Sequence, residues 1–279
     1  MAQTVLVTGG TGTLGKLVTP LLREAGVSVR VLSRTAREAR DGIEYVAGDL
    51  QTGVGVGAAV AGVDTVLHLA GTNKGDGQKA QALVDGIQAA GVFPHLVFIS
   101  VVGAERVPVE SAIDRQTMAY MASKRDAELV VENSGLPWTT LRATQFHDLL
   151  FTMVSALGRM PVVPVVDFRF QPIEAAEVAA RLVELTLGEP AGYVAEIGGP
   201  KIYTMKELER SYLAATGRRR PVFTMKAPGK ASRANAAGGN LTPDHATRRT
   251  HLGGIPGRQA RHRVSRSDAK AGVSAVRWY

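Results

Sequence analysis

Tyr120 and Lys124 form a pair whose residue types and spacing could do chemistry in this 279-residue sequence. Side chains four positions apart lie on one face of a helix, so a helix here would bring the phenol beside the ammonium. A neighbouring positive charge lowers the pKa of a phenol from about 10, which would allow proton transfer near neutral pH. The same spacing also occurs as an ordinary surface pair on amphipathic helices, and both interpretations stay open at this point.

A glycine-rich stretch near the amino terminus is suited to binding a diphosphate. It follows an apolar run at 4–8 and precedes a helical pattern. Gly9 can adopt the positive φ of a tight turn, Gly12 lets the backbone approach phosphates, and Gly15 allows the helix to pack closely on the strand. Free N–H groups at the start of that helix would hold the anion, although a merely flexible turn is the alternative. The candidate residues are Thr8, Gly9, Gly10, Thr11, Gly12, Thr13, Leu14 and Gly15.

Ser33 and Arg34 follow the second apolar run, with Arg37 nearby. An acidic residue at this place would bind the ribose 2′-hydroxyl of NAD. A guanidinium instead makes paired, charge-assisted hydrogen bonds to a 2′-phosphate. The sequence therefore favours NADP(H) over NAD(H), unless these arginines are solvated surface cations.

The glycine spacing T-G-x-x-G-x-x-G resembles that of the short-chain dehydrogenase/reductase superfamily, in its extended and atypical branches. Later segments narrow the likeness to the atypical, NmrA-like NAD(P)-binding reductases of actinobacterial type, and the resemblance covers residues 3–245. That group includes reductases as well as cofactor-binding regulators without catalysis, and many members keep the Lys and lose the Tyr. The segments that carry the likeness are VVG at 101–103, Lys124 with Glu128, SGLPWT at 134–139, LRATQFHD at 141–148, GGP at 198–200 and GGNL at 238–241.

The resemblance implies roles for residues in several of these segments. Ser100 would polarise a substrate carbonyl, and Lys124 would also bond the nicotinamide ribose, so Ser100, Tyr120 and Lys124 form the implied catalytic set. The further implied cofactor-binding residues are Ser33, Arg34, Asp49, Leu50, Leu69, Ala70, Gly71, Lys124, Thr144, Gln145 and Phe146, and the implied substrate-pocket residues are Gln145, Phe146 and His147.

Ordinary structural roles remain open for four of these residues. Asp49 could cap a helix start, and Phe146 could pack in the core. Gln145 and His147 could be hydrogen-bonded loop residues.

Apolar runs that alternate with helical patterns predict an α/β fold, a doubly wound parallel sheet (Rossmann fold) with a small C-terminal α/β substrate-binding subdomain. We expect an NADP-binding Rossmann domain at 1–150, a substrate-pocket subdomain at 151–245 and a basic, disordered or non-native tail at 246–279. The predicted strands are 4–8, 28–32, 43–47, 65–69, 96–99, 138–141 and 193–197, with an extended segment at 161–168. The predicted helices are 14–25, 78–90, 118–133, 174–187 and 204–216, with a short or loose one at 53–62 because of its glycines.

Charge and composition narrow the classes of function. The net charge is +8, but 14 of the 33 Lys and Arg and only 2 of the 25 Asp and Glu lie after position 217, so we expect no nucleic-acid partner for the folded part. There is no Cys and the six His lack ligand spacing, so no metal site is predicted. The sequence has no apolar run long enough to span a membrane and no signal pattern, so we expect a cytoplasmic protein. We also expect a monomer or homodimer that acts on a small molecule.

These observations favour an NADPH-dependent oxidoreductase that transfers hydride between nicotinamide and a carbonyl or quinone-like small molecule. The alternative is a non-catalytic, NmrA-like redox sensor, which needs the glycine turn and Arg34 but not Tyr120. A nucleotide-sugar epimerase is a third and less favoured hypothesis, because no basic cluster for a nucleotide sugar precedes Arg218.

Overall fold

The computed structural model of the protein describes residues 3–72 and 74–247. The strands in these ranges are β1 (Thr4–Thr8), β2 (Ser28–Ser33), β3 (Ile43–Ala47), β4 (Thr65–His68), β5 (His95–Val101), β6 (Trp138–Ala143), β7 (Val163–Val166), β8 (Arg169–Phe170), β9 (Gly192–Tyr193), β10 (Tyr203–Thr204) and β11 (Val222–Met225). The helices are α1 (Thr13–Glu24), α2 (Val56–Val60), α3 (Asp76–Ala89), α4 (Ala112–Thr117), α5 (Ala119–Glu132), α6 (His147–Leu157), α7 (Ala175–Leu187), α8 (Met205–Ala215) and α9 (Lys230–Ala236). None of these helices has the length and apolar character needed to cross a membrane.

Within the described ranges, seven strands form one parallel sheet in the order β3-β2-β1-β4-β5-β6-β9. This sheet confirms the predicted doubly wound α/β architecture. The strand order reverses beside β1, because β2 pairs with one of its edges and β4 with the other. In open sheets of this kind, ligands bind in the crevice outside the carboxyl ends of the strands at the point of reversal.

Helices cover both faces of the sheet, and each face has its own core. Val5 and Val7 of β1 pack towards α1 and α7, whereas Leu6 packs towards α2, α3 and α5. All three side chains are fully buried, which explains why the strand is a continuous apolar run rather than an alternating one. Burial of each such side chain stabilises the fold by roughly 1.5–3 kcal/mol.

The glycines at 53–62 have the effect expected of them. The helix in this stretch, α2, has only five residues, and Gly55 immediately before it adopts a left-handed conformation with φ of 78°. A side chain at that φ would be strained, so the segment needs glycine and cannot extend the helix backwards.

The C-terminal elements form a smaller core beside the sheet. β7 pairs with β11, and β8 pairs with β10. Apolar side chains of α6, α8 and β7 pack together here. β7, α7 and α8 lie within the segments for which extended or helical structure was predicted.

Other predictions for the C-terminal part are wrong in extent or outside the described ranges. The predicted strand 193–197 is reduced to β9, with an isolated bridge between Ala143 and Ile197. α6 and α9 were not predicted, and neither was α4 in the preceding part of the chain. Position 150 lies within α6, and the expected division of the chain there stays a prediction. Most of the expected tail, from position 248 onward, lies outside the described residues.

Candidate functional site

The glycine turn after β1 has the geometry of an anion cradle. Gly9 has a φ of 71°, and a Cβ there would lie 2.7 Å from the backbone nitrogen of Ala70. A Cβ on Gly15 would lie 2.4 Å from the Gly9 carbonyl oxygen, so that helix α1 could not approach the turn with any larger residue. No described side chain caps α1, which leaves N–H groups of its first turn free to bind an anion. These residues therefore fit a dinucleotide diphosphate.

A cavity of about 610 Å³ opens beside this turn. It lies where three helices begin, because its walls come from the first residues of α1, α6 and α7. The start of each helix carries a partial positive charge. Lys16 makes the wall of the cavity more positive, whereas Asp148 and Glu174 make it less so. The lining residues are Thr11, Gly12, Thr13, Lys16, Leu17, Phe146, His147, Asp148, Glu174, Ala175 and Ala176. The structure thus brings Phe146 and His147, both sequence-predicted, beside the glycine turn.

The residues predicted to bind the adenosine part of the cofactor lie just beyond the ends of β2 and β3. Ser33 is buried at the end of β2, and Arg34 directly beyond it is exposed. Among the described residues Arg34 has neither a side-chain hydrogen bond nor an ion pair, so its guanidinium is free to bind a ligand. Arg37 lies over the ring of Tyr45, 5.8 Å from the centroid.

Asp49 and Leu50 occupy the turn after β3. The Asp49 carboxylate accepts a hydrogen bond of 2.9 Å from the backbone N–H of Gln51. Leu50 is buried in the core that faces α2 and α3. Leu50 thus packs in the core, while Asp49 stabilises its own turn.

A buried ionic cluster that the sequence did not reveal lies at the ends of β4 and β5. Nζ of Lys124 lies 3.1 Å from Oδ2 of Asp76, and Nζ of Lys79 lies 3.5 Å from Oδ1. A Cβ on Gly71 would lie 2.9 Å from Nζ of Lys124 and 3.0 Å from Oδ2 of Asp76, so a larger residue there would displace this ion pair. In the sequence, Asp76 has only the appearance of an acidic residue in the first turn of a helix.

The expected activation of the Tyr120 phenol by Lys124 is wrong in direction. Tyr120 as a residue is 37% exposed, but desolvation of its phenol, together with the negative charge of Asp76, raises the pKa of Tyr120 to about 12. The Lys124 ammonium lies 5.9 Å from the centroid of the Tyr120 ring, and its charge is opposed by that of Asp76. Tyr120 is therefore a phenol, and not a phenolate, near neutral pH.

Ser100 is buried near a second ionic cluster and does not line the cavity, and its hydroxyl has no hydrogen-bond partner among the described residues. Burial alone would raise the pKa of Glu128, but the hydrogen bonds and the charge of Arg142 lower it. Arg142 holds both oxygens of Glu128, at 2.7 and 2.8 Å. This cluster joins α5 to β6, which helps to fix the helix that carries Tyr120 and Lys124.

The segment after β6 is held by side-chain amides. Gln145 donates to the Asn240 carbonyl at 3.4 Å and accepts from the backbone N–H of Gln171 at 3.3 Å. The hydroxyl of Thr144 donates to the Gln171 carbonyl. Gln145 is thus a hydrogen-bonded loop residue that joins this segment to the GGNL motif, and it does not line the cavity.

The glycine motifs near the carboxyl end allow close backbone contacts. A Cβ on Gly199 would lie 1.6 Å from the Pro172 carbonyl oxygen. Gly103, with a φ of 96°, would place a Cβ 2.5 Å from the Gly239 carbonyl oxygen. The GGP and GGNL segments therefore pack against the loops that follow β5 and β8.

Comparisons with known proteins show the family of this chain. The family described as NAD(P)H-binding matches residues 9–186. An NAD(P)H azoreductase of Xenophilus azovorans is 29% identical over 221 residues, which are 77% of this chain and 74% of the relative. A (4-alkanoyl-5-oxo-2,5-dihydrofuran-3-yl)methyl phosphate reductase of Streptomyces griseus is 29% identical over 220 residues, again 77% of this chain and 74% of the relative.

A solved structure shows the same fold. It is the NADPH complex of an NADPH-dependent quinone oxidoreductase from Escherichia coli, with a TM-score of 0.70 and 17% identity. The superposition covers 86% of this chain and 91% of the other.

Proposed function

Because the chain belongs to the NAD(P)H-binding family and is an NAD(P)H-dependent reductase of the atypical short-chain type, we propose that it uses NADPH to reduce a small carbonyl or quinone-like acceptor. The observation that carries this proposal is the uncapped start of α1 beside the cavity, with Arg34, directly after β2, unpaired among the described residues. The activities of the azoreductase and quinone oxidoreductase relatives support an acceptor that takes up a hydride.

Each part of the site has a role in this proposal. The N–H groups at the start of α1 would hold the diphosphate, Ser33 and Arg34 the 2′-phosphate, and Lys124 the nicotinamide ribose. Bound NADPH supplies the hydride. Tyr120 would donate its phenolic proton to the acceptor oxygen as that oxygen gains negative charge, and water would then restore the proton. Ser100 is buried and does not line the cavity, so it has no step in this proposal.

A non-catalytic redox sensor, the alternative raised by the sequence, conflicts with this assignment to the reductases. The observation that favours it is the pairing of Lys124 with Asp76, which opposes the charge that would otherwise activate Tyr120. Such a protein would bind NADPH but would not consume it with any member of a panel of quinones, aldehydes and ketones. If NADPH is consumed with one of these acceptors, the protein is a reductase and not a sensor.

The choice of cofactor is tested with Arg34→Ala. We expect the affinity for NADPH to fall ~10- to 100-fold, because a charge-assisted hydrogen bond contributes roughly 1.5–3 kcal/mol. The affinity for NADH should hardly change, since a 2′-hydroxyl has no charge for Arg34 to bind. Titration calorimetry with both cofactors measures the two effects in parallel.

The matched control for Arg34 is Arg181→Ala on α7, which removes an arginine paired with Glu184 at 2.8 Å. It should leave the affinities for both cofactors unchanged. An equal loss of NADPH and NADH affinity in Arg34→Ala would contradict the proposed preference. Failure of the folded wild-type protein to bind either cofactor would contradict both candidate functions.

A further inference from the structure

Asp76 lies in a cluster that contains more positive than negative charge. Its side chain is fully buried, and the side chains of Lys79 and Lys124 are only 10% and 6% exposed. Buried charges persist in proteins only when they are paired or hydrogen-bonded. Here a single carboxylate serves two ammonium groups, so its position determines where both of them lie.

The chain fixes Asp76 from two sides. Its Oδ1 accepts a hydrogen bond of 2.7 Å from the backbone N–H of Thr72, which precedes α3. Its own backbone N–H donates to the hydroxyl of Ser123 on α5, at 2.9 Å. Because Ser123 adjoins Lys124 in the chain, α3 and α5 are joined at neighbouring positions of the same helix turn.

The Lys124 ammonium is directed by these contacts. Beside Asp76, it donates to the Ile99 carbonyl at the end of β5, at 3.4 Å, and it lies 5.2 Å from the centre of the Phe98 ring. An ammonium has three N–H donors, of which the Ile99 carbonyl takes one, while the ion pair with Asp76 holds the ammonium from another side. Gly71, just after β4, lies next to this ammonium, and a ligand bound at this carboxyl edge of the sheet would take a further N–H.

We propose that Asp76 is the positioning residue of this site: it holds the Lys124 ammonium charged and oriented so that its remaining N–H binds the ribose of NADPH. This inference rests on the proposed function, because it needs NADPH as the ligand of Lys124. Lys79 opposes Asp76 in this role, since its ammonium draws on the same carboxylate.

The charges that face Lys124 make the proposal sensitive to pH. They are Asp76 and Lys79 from α3, Glu128 from α5 and, if it were protonated, His68 from β4. Burial lowers the pKa of Lys124, and the charges of Asp76 and Glu128 act against this effect. Without Asp76, burial and Lys79 would remain, so Lys124 would lose its proton at a lower pH than in the wild-type protein.

The test is the affinity for NADPH of the full chain between about pH 6 and pH 10, in the wild type and in Asp76→Asn. We expect the variant to bind NADPH ~10-fold more weakly at pH 7, and the pH above which affinity falls to move down by about one unit. A purely structural role would weaken binding by the same factor at every pH. Such a uniform loss, or an unchanged affinity, overturns the proposal.

Two further variants keep the test decisive. Asp85→Asn removes an exposed carboxylate from the same helix, one that accepts a hydrogen bond from Gln81 at 2.7 Å, and it should behave as the wild type. If Asp76→Asn does not fold, the variant Lys79→Met tests the proposal instead. Without Lys79, the Asp76 carboxylate pairs with Lys124 only, so the pH at which NADPH affinity falls should be higher than in the wild type. An unshifted pH profile overturns the proposal. Wild-type protein that binds no NADPH contradicts the proposed function itself, which separates the two failures.

Discussion

The Tyr120 phenol lies in surroundings that favour its neutral form. Burial and the charge of Asp76 raise its pKa to about 12, so it keeps its proton throughout the physiological range. A group of this kind can donate a proton to an oxygen that is gaining negative charge, but it is a poor base for removing one from an alcohol. At the scale of single residues, the site therefore suits reduction better than oxidation.

Replacement of this phenol tests the proton-donor role. We expect Tyr120→Phe to lower kcat ~10²- to 10⁴-fold, which is the usual contribution of general acid catalysis, and to change NADPH affinity less than ~2-fold. Steady-state kinetics and cofactor titration measure these two effects separately. Because the pKa of Tyr120 is raised, the wild-type activity should show no ionisation of this phenol between pH 6 and pH 9.

Tyr193→Phe on β9 is the matched control for Tyr120→Phe. It also removes a phenolic hydroxyl, one that contacts Arg125 and Glu132 at the surface. Its turnover should equal that of the wild type. Full turnover in Tyr120→Phe would show that Tyr120 is not the proton donor. If the wild-type protein itself reduced no acceptor, the result would support the sensor hypothesis.

Helix α8 has an ionisable group on its buried side. Glu209 is fully buried, and neither of its carboxylate oxygens has a hydrogen-bond partner among the described residues. A Cβ on Gly158, at the end of α6, would lie 2.9 Å from its Oε1, so the carboxyl sits where α6 and α8 meet. Burial raises the pKa of Glu209 from 4.5 to about 7.

The sign of the resulting pH dependence follows from this shift. The folded protein binds the proton of Glu209 more tightly than the unfolded chain, so the stabilising effect of protonation is lost as the pH rises from about 4.5 to 7. Glu209→Gln should therefore be more stable than the wild type at pH 8, on the order of 1 kcal/mol, and the difference should vanish near pH 5. Urea unfolding at both pH values measures it.

Glu24→Gln, at the exposed end of α1, is the control for Glu209→Gln and should be neutral at both pH values. If Glu209→Gln were instead less stable than the wild type at pH 8, the carboxylate would have an ionic partner, and the proposed cost of burying it would be wrong.

At the scale of the whole molecule, the parallel sheet and the glycine turn were predictable because their signals are local. Strands buried on both faces are continuous apolar runs, and a turn such as the one at Gly9 needs a residue type that can take positive φ. α6 was not predicted, because its sequence, HDLLFTMVSAL, is apolar on most sides, whereas only Leu150 and Val154 of this helix are buried.

The ionic part of the candidate site was also not predictable. The contact between Asp76 and Lys124 joins residues from α3 and α5, and it exists only when the two helices pack together. For the same reason, the phenol at position 120 was expected to respond to the lysine on its own helix, whereas the carboxylate on the neighbouring helix has the larger effect.

The sheet contains histidines that should make the whole molecule sensitive to acid. His68 of β4 is fully buried, and its Nδ1 is hydrogen-bonded to Oγ1 of Thr8 at 2.7 Å. Burial, followed by the charge of Lys124, lowers the pKa of His68 to about 3, and burial also lowers that of His95 on β5. The folded protein thus excludes protons that the unfolded chain binds.

The loss of stability on acidification should be cooperative, because His68 and His95 both lie in the central sheet. Stability from a lowered histidine pKa is fully present above about pH 6.5 and is lost as the pH falls towards 3, so His68 alone should cost about 2 kcal/mol between pH 7 and pH 5. His68→Asn should be less stable than the wild type at pH 7, yet lose less stability over this interval. Protonation of Glu209 stabilises the folded protein over the same pH interval. The measurement therefore compares how steeply the free energy of unfolding changes with pH in the variant and in the wild type. His245→Asn, which replaces an exposed histidine, is the control. Equal slopes in His68→Asn and the wild type would show that the buried imidazole does not determine how the sheet responds to acid.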